Sequence, residues 1–340
     1  MFSVVFMLSW FLCAKPAFAG SKGDWMKLLS DTLPVCKLSI PGTHDSGAIY
    51  GGCMLKTQDA GIFSQLELGI RAFDIRLAEK DGKLGVFHSH AFQNMYWETD
   101  VLPTFIKFLK EHPSEMLIVS LKREGGSSEA YASLVETSLS AIDAKPFFVW
   151  NFCQDLALGD CRGKILFLHR DVAMNKYPGT ACEGWKDDAT CLMTLRGSNG
   201  AEAQVLLQDE YQYASDEEVG LKIEACMRNL HNVAAEPSSS YRWAISFVSA
   251  TGLPLGTPEV FAKQVNKFVS EYLKQRRSQM CGIVFMDFVQ RPDRMSGYQQ
   301  GIRVCLFRGE CISGNGRIAE REEKFRFDNG KASQCDACHQ

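Results

Sequence analysis

Eight short apolar runs, rich in Val, Ile, Leu and Phe, recur along this chain and constrain its fold more than any other feature. They lie at residues 35–40, 70–77, 84–88, 116–121, 164–169, 204–208, 243–248 and 282–288. Near-continuous apolar runs suit strands buried on both faces, as in parallel sheets. Most intervals between them carry helical spacing, at 58–68, 101–111, 130–142, 217–230 and 258–276. In the interval 101–111, Leu102, Phe105, Ile106 and Leu109 fall on one helical face. The interval 78–83 is too short for a helix and holds an Asp81-Gly82 turn. Eight strands with mostly helical crossovers predict an α/β fold, a distorted (β/α)8 TIM-type barrel irregular near its second strand. A doubly wound sheet is the alternative.

With 340 residues, 46% of them hydrophobic, the chain can bury a large core. Its net charge of −3 implies no nucleic-acid partner. Residues 2–14 are almost wholly apolar, and Ala17-Phe18-Ala19 offers a small-x-small cleavage site. Residues 1–19 therefore read as a signal peptide, with an uncleaved membrane anchor as the alternative. Thirteen cysteines leave twelve once Cys13 is removed, an even number that suits disulfides in an exported protein. Local pairs would be Cys153–Cys161, Cys182–Cys191 and Cys305–Cys311.

The expected division is 1–19 signal peptide, 20–308 a single barrel domain, and 309–340 a polar, cysteine-containing tail. Residues 175–200, with weak periodicity, read as a stapled loop or lid. Within the tail, Cys335-Asp336-Ala337-Cys338-His339 matches a haem-attachment pattern one residue from the C-terminus. Pairing of these cysteines with others is the simpler reading, and no cofactor is expected.

Seven of the eight runs end in reactive side chains. The first leads into Pro41-Gly42-Thr43-His44-Asp45-Ser46-Gly47, and the second carries Asp74 and Arg76. His88 ends the third, Lys122 the fourth and Arg170 the fifth. Asp209 and Tyr211 follow the sixth, and Asp287 the eighth. Barrel active sites gather at the C-terminal strand ends. Two histidines can act as base and acid near neutral pH. An arginine can grip and stabilise phosphoryl oxygens, and carboxylates can orient each imidazole. Phosphodiester chemistry fits this set. Arg76 stands where a further acid would suggest a bound metal, so no metal is expected.

These residues also resemble a known family. Residues 38–45, Phe73-Asp74-Ile75-Arg76, His88, Pro113-Ser114-Glu115 leading to Ser120-Leu121-Lys122, and Gln208-Asp209-Glu210-Tyr211 are similar to bacterial phosphatidylinositol-specific phospholipase C. The likeness runs through roughly residues 35–288. It implies a distorted (β/α)8 barrel that cleaves phosphatidylinositol by attack of the inositol 2-hydroxyl on phosphorus. Diacylglycerol leaves and inositol 1,2-cyclic phosphate forms. By resemblance, His44 is the general base, oriented by Asp287. His88 is the general acid, with Asp45 as partner and His90 as the alternative acid. Arg76 holds the phosphoryl oxygens, and Asp74 tunes either Arg76 or the acid. Lys122, Arg170 and Asp209 bind inositol hydroxyls, and Tyr211 stacks on the ring.

The implied partner is phosphatidylinositol, or a glycosylated anchor built on it, at a membrane surface touched transiently by a secreted monomer. The competing readings are a metal-dependent phosphodiesterase of the same barrel type, such as a glycerophosphodiesterase or sphingomyelinase D, and a non-catalytic inositol-lipid binding module. Two apolar clusters lie near the expected mouth: Ile49, Tyr50, Met54 and Leu55, and Phe92, Met95, Tyr96 and Trp97. Each is either a lipid-inserting rim or ordinary packing. His112, His169 and His231 are expected to be structural.

Overall fold

The structure, a computed structural model, describes residues 22–140, 143–171, 177–252, 255–276 and 279–290. The signal peptide, the tail with its C-x-x-C-H, the Cys305–Cys311 pair and both domain boundaries lie outside the described residues.

Eleven strands form one sheet: β1 (Ile40–Thr43), β2 (Ala72–Lys80), β3 (Lys83–His88), β4 (Ala91–Tyr96), β5 (Leu117–Arg123), β6 (Ile165–His169), β7 (Thr180–Glu183), β8 (Thr190–Gly197), β9 (Glu202–Gln208), β10 (Trp243–Phe247) and β11 (Ile283–Met286). β1 pairs with both β2 and β11, so the sheet closes on itself. The ring runs β1-β2-β5-β6-β7-β8-β9-β10-β11. All neighbours in it are parallel except β8, which is antiparallel to β7 and β9. Eight parallel strands are therefore present, as expected of a distorted (β/α)8 barrel.

The eight are not quite the eight apolar runs. The run at 84–88 became β3, which lies outside the ring and pairs antiparallel with β2 and β4. Its short turn leaves no room for the crossover that a parallel partner requires. Its place in the ring is taken by β7, which falls within 175–200. That segment is a pair of strands from residue 180 to 197, not a lid. β8 alternates Cys191, Met193, Leu195 and Gly197 toward the interior with Thr190, Leu192, Thr194 and Arg196. Period 2 marks a strand with one wet face, which a search for continuous apolar runs passes over. The run at 35–40 is also shifted: Val35–Lys37 is a 3-10 turn, and the strand begins at Ile40.

Among the described residues seven α-helices accompany the sheet: α1 (Gly52–Leu55), α2 (Ile62–Glu67), α3 (Leu102–Glu111), α4 (Ser128–Leu139), α5 (Leu158–Cys161), α6 (Val219–Ala234) and α7 (Pro258–Gln275). In α3, Pro103 sits in the first turn, where its missing N–H costs nothing, and Leu102, Phe105, Phe108 and Leu109 are buried. α4 is capped by Ser127, whose hydroxyl accepts from the Ala130 N–H at 3.0 Å. It buries Tyr131, Val135 and Leu139, four residues apart. None of the described helices is long and apolar enough to cross a membrane.

Strand alternation separates two cores. Phe73, Ile75, Leu77, Val119, Leu121 and Phe167 point outward, under the helices. Ile40, Ala72, Ile118, Leu166, Leu168, Val205, Leu207, Ile245, Phe247, Ile283 and Phe285 fill the barrel. Gly42 is required at this level, because a Cβ there would lie 2.8 Å from the Phe285 ring and 3.0 Å from Ala72 Cβ.

At the N-terminal end of the barrel, Arg71 and Glu115 form a fully buried ion pair at 2.9 Å. Arg71 also donates to the carbonyls of Gly23, Leu66 and Ile70, while Glu115 accepts from the Met26 N–H. The Pro113-Ser114-Glu115 motif thus anchors the entry segment across the barrel floor, far from the strand ends that carry chemistry. Among the described residues no two cysteines are bonded to each other. The expected Cys182–Cys191 pair is not bonded, because the strand register sets Cys182 against Leu195 and Cys191 against Leu207. Cys153 and Cys161 are likewise unbonded; Cys161 is buried beneath the barrel while Cys153 is exposed. Glu115→Ala leaves a buried guanidinium without its counter-ion and should cost about 3–5 kcal/mol, read as a fall in the urea midpoint.

Candidate active site

The alternation that fills the barrel with Ala72, Ile118, Leu168, Leu207 and Phe285 carries on past the apolar layers. Two residues further along the same faces come Asp74 and Arg76, Ser120 and Lys122, Arg170, Asp209 and Asp287. His44 follows β1 in the same way. Together with His88 they meet at a cleft of about 300 Å³, lined also by Glu124, Tyr211, Asp187, Met54 and Leu55. That volume suits a small polar headgroup. His169, one residue before Arg170, has the opposite parity. It is buried against Phe167 and Tyr177, donates from Nε2 to the Pro178 carbonyl at 3.0 Å, and is pushed down to about 4 by burial. It is a structural residue.

Arg76 sits at the centre. Its Nη2 lies 2.6 Å from His44 Nε2, and its Nε lies 3.4 Å from Asp74 Oδ2 and 3.5 Å from Asp45 Oδ2. Glu124 approaches Nη1 at 3.8 Å. Burial opposes its charge, but the surrounding carboxylates outweigh burial and raise its pKa further. A guanidinium can only donate, so His44 Nε2 must accept. The His44 proton is then on Nδ1, 2.8 Å from Asp287 Oδ1. Burial, then Arg76 and His88, hold the His44 pKa well below 6.5. His44 is thus a neutral imidazole with its lone pair toward the cleft, the state a base needs.

His88 is arranged differently. Its Nδ1 donates to the Leu55 carbonyl at 2.6 Å and lies 3.3 Å from Asp45 Oδ2. Nε2 is the ring nitrogen left for the cleft, which His88 lines. His90 is exposed and absent from the cleft, whereas His88 lines it. Ser89 between them holds φ +52°, a left-handed conformation, and its N–H donates to Glu124 at 2.8 Å.

At the other wall, Asp209 Oδ2 accepts from Arg170 at 3.3 Å and from the Trp185 indole at 2.8 Å. The Arg170 guanidinium stacks 3.8 Å over the Trp185 ring. The Tyr211 hydroxyl donates to Asp187 at 2.9 Å. Burial pushes the Asp209 pKa up. For Asp74, burial would push upward, but Arg76, Arg170 and the Asp45 N–H outweigh it and keep the carboxylate ionised.

All ten expected residues therefore converge: eight line the cleft, and Asp45 and Asp74 lie buried directly beneath it. Three contributors went unread in the sequence. Glu124 shares the inward parity of Lys122 two residues earlier, a signal that was available. Trp185 and Asp187 lie between β7 and β8 and become legible only once those strands are known. Among the described residues, no three His, Cys, Asp or Glu side chains converge as metal ligands. Of the two apolar clusters, Tyr50 and Met54 are exposed beside the mouth, whereas Trp97 is fully buried and Phe92, Met95 and Tyr96 are part-buried.

Fold and mouth together define a distorted TIM-type barrel with a charged cleft at the C-terminal strand ends. Residues 32–170 match the family "Phosphatidylinositol-specific phospholipase C, X domain". The chain is 27% identical over 283 residues to the 1-phosphatidylinositol phosphodiesterase of Listeria monocytogenes, covering 79% of this chain and 81% of that one. It is 24% identical over 305 residues to the Staphylococcus aureus enzyme of the same name, covering 84% and 90%. The solved Listeria phospholipase superposes with a TM-score of 0.66 at 25% identity, covering 84% of this chain and 98% of that one. A Staphylococcus aureus structure gives 0.72 at 22%, covering 84% and 96%, a likeness of fold alone. The X-domain match thus covers residues 32–170, and the likeness to the two bacterial phosphodiesterases extends over about four-fifths of the chain.

Asp45 yields a stability test. Burial pushes it from 3.8 up to about 6, with His88 and Arg76 opposing and only partly offsetting. The folded protein therefore holds a proton there that the unfolded chain releases between pH 3.8 and about 6. Stability from this group is present below that window and lost above it. Asp45→Asn should raise unfolding free energy by about 1–3 kcal/mol at pH 8 and change it little at pH 4, measured by chemical denaturation.

Proposed function

We propose that this chain is a secreted phosphatidylinositol-specific phospholipase C that works at a membrane surface as a monomer, following removal of residues 1–19, with its barrel domain spanning 20–308. The observation that carries the reading is the contact of Arg76 with His44 Nε2, with His88 on the same cleft and Asp45 and Asp74 beneath. In the resting protein Arg76 covers the lone pair of the base. A phosphodiester entering the cleft offers the guanidinium a charged acceptor, which frees His44 Nε2. His44 then takes the proton of the inositol 2-hydroxyl while Asp287 holds its Nδ1–H. The O2–P bond forms and the P–O bond to glycerol breaks. His88 delivers its Nε2 proton to the departing oxygen, so diacylglycerol and inositol 1,2-cyclic phosphate are the products. Asp45 stabilises the imidazolium of His88, and Asp74 holds Arg76 in place. The nucleophile belongs to the substrate, so attack is intramolecular and gains from proximity.

Lys122, Arg170, Asp209 and Tyr211 ring the rest of the cleft and hold the inositol hydroxyls and ring face, with Glu124 joining them. Arg170 and Asp209 satisfy one another in the free protein, leaving a donor and an acceptor ready for vicinal hydroxyls. Exposed Tyr50 and Met54 supply an apolar rim for lipid contact beside the pocket. Glycosylated inositol anchors share the reacting headgroup and are substrates of the same chemistry.

Arg76 supplies the positive charge that a metal ion would bring to the phosphoryl oxygens. Activity on phosphatidylinositol vesicles should therefore survive EDTA, and phosphorus NMR should show a five-membered cyclic phosphate as first product. His44→Ala and His88→Ala should each lower the rate by about 10²–10⁴-fold. Cyclic product formed by His44→Ala at the parent rate would remove His44 from the role of base.

A further inference from the structure

The segment between the exposed rim and α2 contains two polar residues, Thr57 and Gln58, with no measurable solvent exposure. Neither lines the cleft. Their hydrogen bonds go almost entirely to the two chain segments that carry His44 and Asp287. The Gln58 Nε2 donates to the His44 carbonyl at 2.9 Å and to the Met286 carbonyl at 2.9 Å. Two carbonyl acceptors fix the orientation of that amide. The Thr57 hydroxyl donates to the Asp45 carbonyl at 2.9 Å, and the Thr57 carbonyl accepts from the Phe288 N–H at 2.7 Å.

The residues gripped by Thr57 are unusual in conformation. Asp45 has φ +38° and Phe288 has φ +49°, and each directly follows one member of the His44–Asp287 pair. A non-glycine residue in this region persists only where its surroundings over-determine it. Here the carbonyl of one strained residue and the N–H of the other are both held by Thr57, while Gln58 bridges His44, just before the first, and Met286, two residues before the second. The β1–β11 ladder is followed by a direct backbone link between the two segments, His44 N–H to the Met286 carbonyl at 3.0 Å. Asn266 steadies the Asp287 carbonyl from α7 at 2.7 Å.

We propose that Thr57 and Gln58 are positioning residues for the reaction: a two-residue clamp that holds the turns after β1 and β11 so that His44 Nδ1 and Asp287 Oδ1 stay in hydrogen-bond register. This rests on the reading of His44 as the base. The clamp also places the exposed rim, with Tyr50 and Met54, between two fixed ends: Ala48 accepts from the N–H groups of both Thr57 and Gln58. The rim can thus meet a lipid surface without moving the base.

Gln58→Met keeps the volume and removes both donors. It should lower kcat by about 10–100-fold, the scale of an ångström of misplacement, with KM nearly unchanged. Thr57→Val should lower kcat in the same sense, and Thr57→Ser, which restores the hydroxyl, should recover most of the loss. The spectroscopic readout is the downfield imidazole N–H proton of His44 in the resting protein, which should shift or broaden in Gln58→Met and Thr57→Val and be absent from His44→Ala. Should Gln58→Met not fold, the Thr57→Val and Thr57→Ser pair decides. Parent kcat in Thr57→Val, or a reduced kcat with an unmoved imidazole resonance, overturns the clamp. Full activity in His44→Ala instead overturns the proposed function, and the resonance still reports on the clamp.

Discussion

A guanidinium surrounded by acids at the mouth of a barrel is the constraint on which the rest of this structure turns. Arg76 is largely buried, and a buried cation without partners would cost several kcal/mol. Asp74, Asp45 and Glu124 supply the opposing charge, and His44 supplies a neutral acceptor. The same acids are themselves buried, so each needs Arg76 as much as it needs them. The cluster is self-consistent only as a whole, and it sets the protonation state of everything near it. His44 is neutral because it is buried and because Arg76 donates to it. Asp74 is ionised because Arg76 outweighs burial, whereas Asp45, with less to offset burial, is pushed up to about 6.

Strand parity brings these groups together. Along β2 the interior sequence is Ala72, Asp74, Arg76, and along β5 it is Ile118, Ser120, Lys122. The barrel is therefore oily below and charged above by simple alternation. Opposite parity explains why His169, next door to Arg170, has no part in the cleft. The floor is closed by a second buried ion pair, Arg71 with Glu115, which ties the entry segment to the barrel. Stability is concentrated at one end and chemistry at the other, as barrels of this type require.

Much of the site was legible along the chain. Each inward residue closes an apolar run, and the loop from Pro41 to Gly47 identifies its own strand end. The misreadings have specific causes. The run 84–88 is as apolar as a barrel strand, but only its antiparallel pairing with β2 excludes it from the ring. β8 alternates, and β7 is only four residues long, so neither carries the continuous apolar signal of its neighbours. Trp185 and Asp187 were missed because they hang on those strands. Thr57 and Gln58 were unreadable as partners of Met286 and Phe288, since more than two hundred residues separate them and they meet only when β1 closes against β11.

By itself the sequence determined the barrel class, most of its parallel strands, and which side chains stand at their C-terminal ends. Those are local properties, written in runs of apolar residues and a period of two. Tertiary structure decided the membership of the ring, the placement of His88 in the cleft and of His90 outside it, the tautomer of His44 and the separation of Cys182 from Cys191. Each of these depends on which distant backbone group or charge lies within about 3 Å, the range at which hydrogen bonds form. Ring closure alone sets those neighbours, because it brings the first strand of the chain against the last.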